Sequence, residues 1–195
     1  MLSHEGVIRK TRFVTVIEFS RWLWLLALAV FIVALVFSTY LNRDWFSFTA
    51  NALSDLGSDR ARAPLIFNAS LIVSAVVLAG YSIYLYERFG KAVATSMLAT
   101  SLMLAGVGLF PEGRSLHVFF AVLFFAMAYV TVALTSIKLY ARGSAGLSLA
   151  LAFLILVAMM GLLIPWPSVA LLELYLIAVM TLCFLLISKA GSSLD

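Results

Sequence analysis

Charge is what this chain has least of. Only 11% of its 195 residues are Asp, Glu, Lys or Arg, against about a quarter in an ordinary soluble domain. With a mean hydropathy of +1.11, that shortage excludes a soluble globular protein. Cysteine is almost missing as well. Cys183 stands alone inside an apolar run, so it forms no intrachain disulfide and no cysteine metal site, and it reads as a small packing residue. Histidine is confined to His4, in the basic N-terminal stretch, and His117. A bis-imidazole haem site needs two intramembrane histidines and is therefore excluded. Lys138 and Lys189 sit at the ends of apolar runs, which leaves no lysine for a retinal Schiff base, and no glycine-rich phosphate loop occurs. The formal charge of +4 does not point to nucleic acid, because most basic residues flank oily segments. No cofactor is expected.

What the chain has instead is six long apolar runs. They lie near residues 22–41, 64–86, 92–110, 116–140, 147–164 and 169–187, and about 20 apolar residues is the helical length that crosses a bilayer core. The expected fold is an all-α integral membrane protein. It is a six-transmembrane-helix bundle, one domain over residues 1–195, with a short interfacial helix in the first outer loop. Pro64 suits a first helical turn, where its missing N–H costs nothing. Pro111 and Pro165 stand just past the third and fifth runs and stop them. The first run follows Arg9, Lys10, Arg12 and Arg21 as a signal peptide would. Its apolar stretch is about twice a usual h-region, and no small-x-small cleavage site follows, so it reads as a retained anchor.

Orientation follows from the basic residues. With the N-terminus cytoplasmic, the inner segments hold Arg9, Lys10, Arg12, Arg21, Arg88, Lys91, Lys138, Arg142 and Lys189, and the outer ones Arg43, Arg60, Arg62 and Arg114. Nine against four is the sense of the positive-inside rule. A multi-pass protein of the cell membrane with both termini cytoplasmic is expected. Trp22, Trp24, Tyr84, Tyr86 and Tyr140 would then form an inner aromatic belt, and Tyr40, Trp45 and Trp166 an outer one.

Most connections are a few residues long, which makes successive helices antiparallel neighbours. The first outer loop, NRDWFSFTANALSDLGSDRARAP, is the exception, and loops of that length are usually functional or contain structure of their own. Thr49 is placed to cap a short helix that Gly57 ends, with Asn51 to Leu56 helical. Asn51, Ser54 and Asp55 then share one face while Leu53 and Leu56 seek cover. Ser101, Ala105 and Gly108 would let the third helix pack closely on a neighbour.

The polar residues of the apolar region converge on one side. Glu112, Arg114 and His117 lie between the third and fourth runs, Asn51, Ser54 and Asp55 in the long loop, and Asn68 and Glu173 about one turn inside the second and sixth runs. An intramembrane carboxylate such as Glu173 normally faces the bundle, pairs, or serves a site. These seven residues besides Arg114 make up the candidate ligand-binding set, with His117, Glu112 and Asp55 the candidate catalytic groups. Arg114 is expected to face water or headgroups. Bland readings stand beside these: Glu112 and His117 as solvated or satisfied interfacial residues, and the whole cluster as a structural latch. No metal is expected, because His117, Glu112 and Asp55 lack an HExxH-like spacing. Ser54, His117 and Asp55 lack a nucleophile-elbow motif.

Those same stretches carry a resemblance. NALSDLG, then IFNASLI, then GLFPEG and LHVFF together resemble the archaeal and bacterial membrane proteins grouped as domain of unknown function 998. More distantly, SDLG followed by a proline and IFN is similar to the Frag/DRAM/Sfk proteins, some of them linked to lipid or GPI-anchor handling. The resemblance implies six helices and signature positions at Ser54, Asp55, Gly57, Asn68, Pro111, Glu112 and His117. It implies no activity. Three functions are therefore weighed: binding of a lipid headgroup or a membrane protein partner, an enzyme acting on a lipid or lipid-linked substrate through His117, and a transporter using Glu173 and His117. Membrane lipids are the expected partners, nucleic acid is not, and the oligomeric state is open.

Overall fold

A computed structural model of the chain describes residues 15–192. His4, Arg9, Lys10 and Arg12, on which part of the orientation argument rests, lie outside the described residues. Every regular element among the described residues is helical: α1 (Leu23–Leu41), a 3-10 turn (Leu53–Gly57), α2 (Pro64–Phe89), α3 (Lys91–Leu109), α4 (His117–Ala141), α5 (Ala145–Gly161) and α6 (Val169–Ser192). Five helices are long and apolar enough to cross a membrane, and Ala145–Gly161 is a shorter apolar one. At 1.5 Å per residue, α5 spans about 25 Å, somewhat less than the ~30 Å hydrocarbon core. The expected runs match the helices, except that α2 and α6 continue past their apolar stretches through Arg88 and Lys189. Nothing in the backbone ends a helix where the lipid ends; Gly90, with φ +91°, does so for α2. Pro64 occupies the first turn of α2 as expected.

Burial runs opposite to that of a soluble domain. Val33, Leu65 and Leu163 are 70%, 74% and 76% exposed, and large apolar side chains cover the outside on every helix. A soluble monomer rarely shows contiguous apolar surface on this scale, whereas a bilayer covers it without cost. Inside, α2 packs along both α1 and α3, α3 along α4, and α5 joins α4 to α6. Between helices the hydrophobic effect gives little drive in lipid, so close approach of small residues does the work. A Cβ on Gly108 would lie 2.7 Å from the backbone oxygen of Asn68, and one on Gly106 only 2.2 Å from the Phe120 ring. Buried Ser101 and Gly108 and half-buried Ala105 fit the expected close face of α3, and Gly106 serves the other side.

One end of the bundle is sealed by aromatic residues. Trp24 Nε1 donates to Ser188 Oγ at 2.9 Å, Tyr81 Oη lies 3.2 Å from the same Oγ, and Tyr84 Oη donates to the Ser188 carbonyl at 3.1 Å. The Tyr81 and Tyr84 rings stack at 5.6 Å, and Phe184 packs against Trp24 and Tyr81. This corrects the expected aromatic belt. Trp24 and Tyr84 are buried core residues, whereas Trp22, Tyr86 and Tyr140 are exposed. Buried Trp and Tyr need a partner for one polar atom each, and Ser188 supplies it.

Candidate functional site: a lid over an apolar cavity

The long first loop closes the opposite end. Its chain has little regular structure, so its backbone groups need partners from elsewhere. Asn42, fully buried, holds the start: its side chain donates to Ser38 O and accepts from Arg62 N at 2.7 Å, joining the two ends of the loop. Ser168 Oγ donates to Phe48 O, and Ala170 N donates to Asn51 O at 2.9 Å, tying the loop to the start of α6. Leu53 N donates to Glu173 Oε2 at 2.8 Å, and Asn68 Nδ2 donates to Gly57 O at 2.9 Å. A Cβ on Gly57 would meet the Asn68 amide oxygen, so a larger residue there displaces that side chain. Leu53 and Leu56 are buried beneath, Leu56 completely.

The expected helix Asn51–Leu56 is shorter and tighter than anticipated. It is a 3-10 turn over Leu53–Gly57 with Ala52 at its start, and Thr49 does not cap it. The closing group is Asp55, whose Oδ2 accepts from Ala52 N at 3.0 Å and Asn51 Nδ2 at 3.1 Å. Thr49 instead pairs with Ser47 through its hydroxyl.

The α3–α4 connection supplies the remaining tie. Pro111 ends α3, Gly113 takes φ +91°, and two tight turns bring His117 back over the end of α3. His117 Nδ1 lies 2.8 Å from Phe110 O, one of the carbonyls that a finished helix leaves open. A carbonyl only accepts, so Nδ1 carries a proton. His117 Nε2 lies 3.0 Å from Glu112 Oε2, and Ser54 Oγ donates to that same Oε2 at 3.1 Å. With Nδ1 protonated, the Nε2–Oε2 contact requires one further shared proton, giving imidazolium–carboxylate or imidazole–carboxylic acid. The pair is neutral overall in both forms. That neutrality makes the burial of His117, only 4% exposed, tolerable.

Beneath the lid lies an apolar cavity of about 110 Å³. Trp24, Phe31, Phe67, Phe124, Phe125 and Phe184 furnish most of its aromatic wall, and Ser54 and Glu173 stand at the lid. From Glu173 to Phe184 it follows about 16 Å of α6. Helices α1 and α6 both line it, yet share no extended contact with each other. The aromatic floor at Ser188 closes its far end.

With this geometry in place, the comparisons with known proteins become informative. A family model described as protein of unknown function (DUF998) matches residues 25–189. The chain belongs to that family. No curated protein and no solved structure matches it, and the matching model is not one of the Frag/DRAM/Sfk proteins. The DUF998 match spans the whole lid and, apart from Trp24, the cavity wall and the floor. The positions expected as family signatures (Ser54, Asp55, Gly57, Asn68, Pro111, Glu112 and His117) all take part in closing the lid.

The structure joins Ser54, Glu112 and His117 in one hydrogen-bonded chain, as expected for His117 with a carboxylate. It does not bring Asp55 to His117, because Asp55 is engaged by its own turn. Asn51 and Asn68 hold loop backbone, and Arg114 faces outward, 3.6 Å from Asp59. Glu173 is the carboxylate that lines the cavity. Sequence reasoning missed Asn42, Ser168 and the floor residues Tyr81 and Ser188. Asn42 had a signal, an amide directly after an apolar run. Tyr81 and Ser188 read as ordinary helix residues, and only their convergence gives them a role.

Proposed function

We propose that the protein binds a membrane lipid, its chain in the apolar cavity and its head beneath the lid at Ser54 and Glu173. The observation that carries this reading is the cavity itself. A pocket lined by apolar and aromatic groups with a few convergent polar ones is typical of small-molecule sites. On the basic-residue count, the lid faces outward and both termini lie in the cytoplasm of a cell whose plasma membrane holds the protein. The test is native mass spectrometry of protein purified in mild detergent. Wild type retains a lipid, and Ala121→Phe, which fills the cavity, loses it. Wild type without lipid, or a filled variant that keeps it, overturns the reading. For orientation, an impermeant thiol reagent applied to cells labels S58C and leaves S193C untouched; the reverse pattern reverses the topology.

A second reading, an enzyme acting on a lipid or lipid-linked substrate, draws on Ser54, Glu112 and His117. In a nucleophilic triad the serine bonds to the imidazole. Here it bonds to the carboxylate, and both imidazole nitrogens are already engaged. A transport reading draws on Glu173, but the hydrogen-bonded floor offers no continuing polar path. A binding role needs neither rearrangement. Docking of a membrane protein partner on the lid draws on its exposed charges and competes only if lipid retention fails.

A further inference from the structure

The cavity's hydrogen-bonding inventory narrows what it takes. Four lining side chains have a donor, and all four are engaged. Trp24 Nε1 donates to Ser188, Ser54 Oγ to Glu112, Ser74 Oγ to Ala27 O and Thr181 Oγ1 to Ile177 O. The Leu53 N–H donates to Glu173, and apart from Ser54 the remaining wall is α-helix, whose N–H groups bond within the helix. No Lys, Arg or His lines the cavity. Acceptors are in surplus: Glu173 uses Oε2 for Leu53 and keeps Oε1, and each hydroxyl oxygen keeps a lone pair.

We propose, resting on the lipid-binding reading, that the ligand is a single-chain amphiphile with a hydrogen-bond-donating head. A long-chain amine fits best, an alcohol next, and acceptor-only phosphate or carboxylate heads are disfavoured. The head meets Glu173 Oε1 under the lid, and the chain runs down α6 toward Trp24 and Phe184. One extended chain spans the roughly 16 Å of α6 that the cavity follows.

Trp24 at the floor is a built-in reporter. The full chain in phosphatidylcholine nanodiscs is titrated with dodecylamine, dodecanol and dodecanoate, each carrying bromine on the terminal carbon. Trp24→Phe gives the quenching of the other tryptophans to subtract. The amine quenches Trp24 at about tenfold lower concentration than dodecanoate, the worth of one charged hydrogen bond, with the alcohol between them. Glu173→Gln keeps an acceptor for Leu53 N and narrows the gap between amine and alcohol. Burial of the Cys183 thiol against a thiol-reactive dye checks that this variant is folded. Dodecanoate binding as well as the amine overturns this inference and leaves the lipid-binding reading standing. A Glu173→Gln variant that is folded and keeps the full amine preference overturns it too. Absence of Trp24 quenching by all three chains overturns both.

Discussion

The two ends of the bundle are closed in different ways. At the lid, side chains satisfy the backbone of a long irregular segment: Glu173 takes Leu53 N, Asn68 reaches Gly57 O, and Asn42 takes Arg62 N. At the floor the helices run on, most of their backbone bonds are internal, and the tips of Trp24, Tyr81 and Tyr84 find partners. One serine meets all three. The contrast explains why polar residues concentrate at the lid. Covering an apolar interior with loop exposes backbone groups that a helix would satisfy itself. Polar clustering in a membrane sequence therefore marks, first of all, where an irregular segment is stitched down. What stitching leaves over is the informative part, and here it is the second oxygen of Glu173, facing the cavity.

The difference can be broken by mutation, with Cys183 thiol exposure during thermal or denaturant unfolding as the measure. His117→Ala has the largest expected effect, a loss of about 2–3 kcal/mol, since it strands Phe110 O and leaves Glu112 without its proton partner. At the floor, Ser188→Ala is expected to cost about 2 kcal/mol by leaving the Trp24 and Tyr81 polar tips unpaired. A floor variant costing clearly more than the lid variant would reverse the view that the lid holds the stronger ties. Gly57→Ala and Asn68→Ala form the next pair. Each is expected to cost about 1–2 kcal/mol, by displacing the amide or by removing it. Once Asn68 is alanine the Cβ at Gly57 meets nothing severe, so the double variant costs less than the sum. Additive costs would mean that Asn68 does not hold Gly57.

How much of this was legible in the sequence depended on the range of the interactions. Apolar runs gave all six helices, because lipid imposes length and composition locally. The proline positions were also readable, as was a carboxylate beside His117, from either Glu112 or Asp55. Asp55 is not that carboxylate, because its own backbone lies nearer: Ala52 N and Asn51 claim it within four residues. Trp24 and Tyr84 were placed at a membrane interface because aromatic residues near helix ends usually belong there. Their contact with Ser188 joins residues more than a hundred positions apart. No local pattern announces that convergence, nor a cavity formed by six separate segments.

The smallest expected effect concerns the charges that looked most conspicuous in the sequence. Arg114 sits between Glu112 and His117 and invites a share in their chemistry. The structure turns it outward, where it faces Asp59 at 3.6 Å with side chains 63% and 93% exposed. An ion pair so open to solvent contributes about 0–1 kcal/mol and fades with salt. Arg114→Ala is therefore expected to shift unfolding by less than about 0.5 kcal/mol, and the amine preference of the cavity is expected to stay as in wild type. A loss near that of His117→Ala would place Arg114 among the ties of the lid. It would also mean that the charge balance around Glu112 depends on a group the geometry leaves in water. A weakened discrimination between amine and carboxylate chains, with stability intact, would instead show that Arg114 reaches the mouth of the cavity and sets its field from outside.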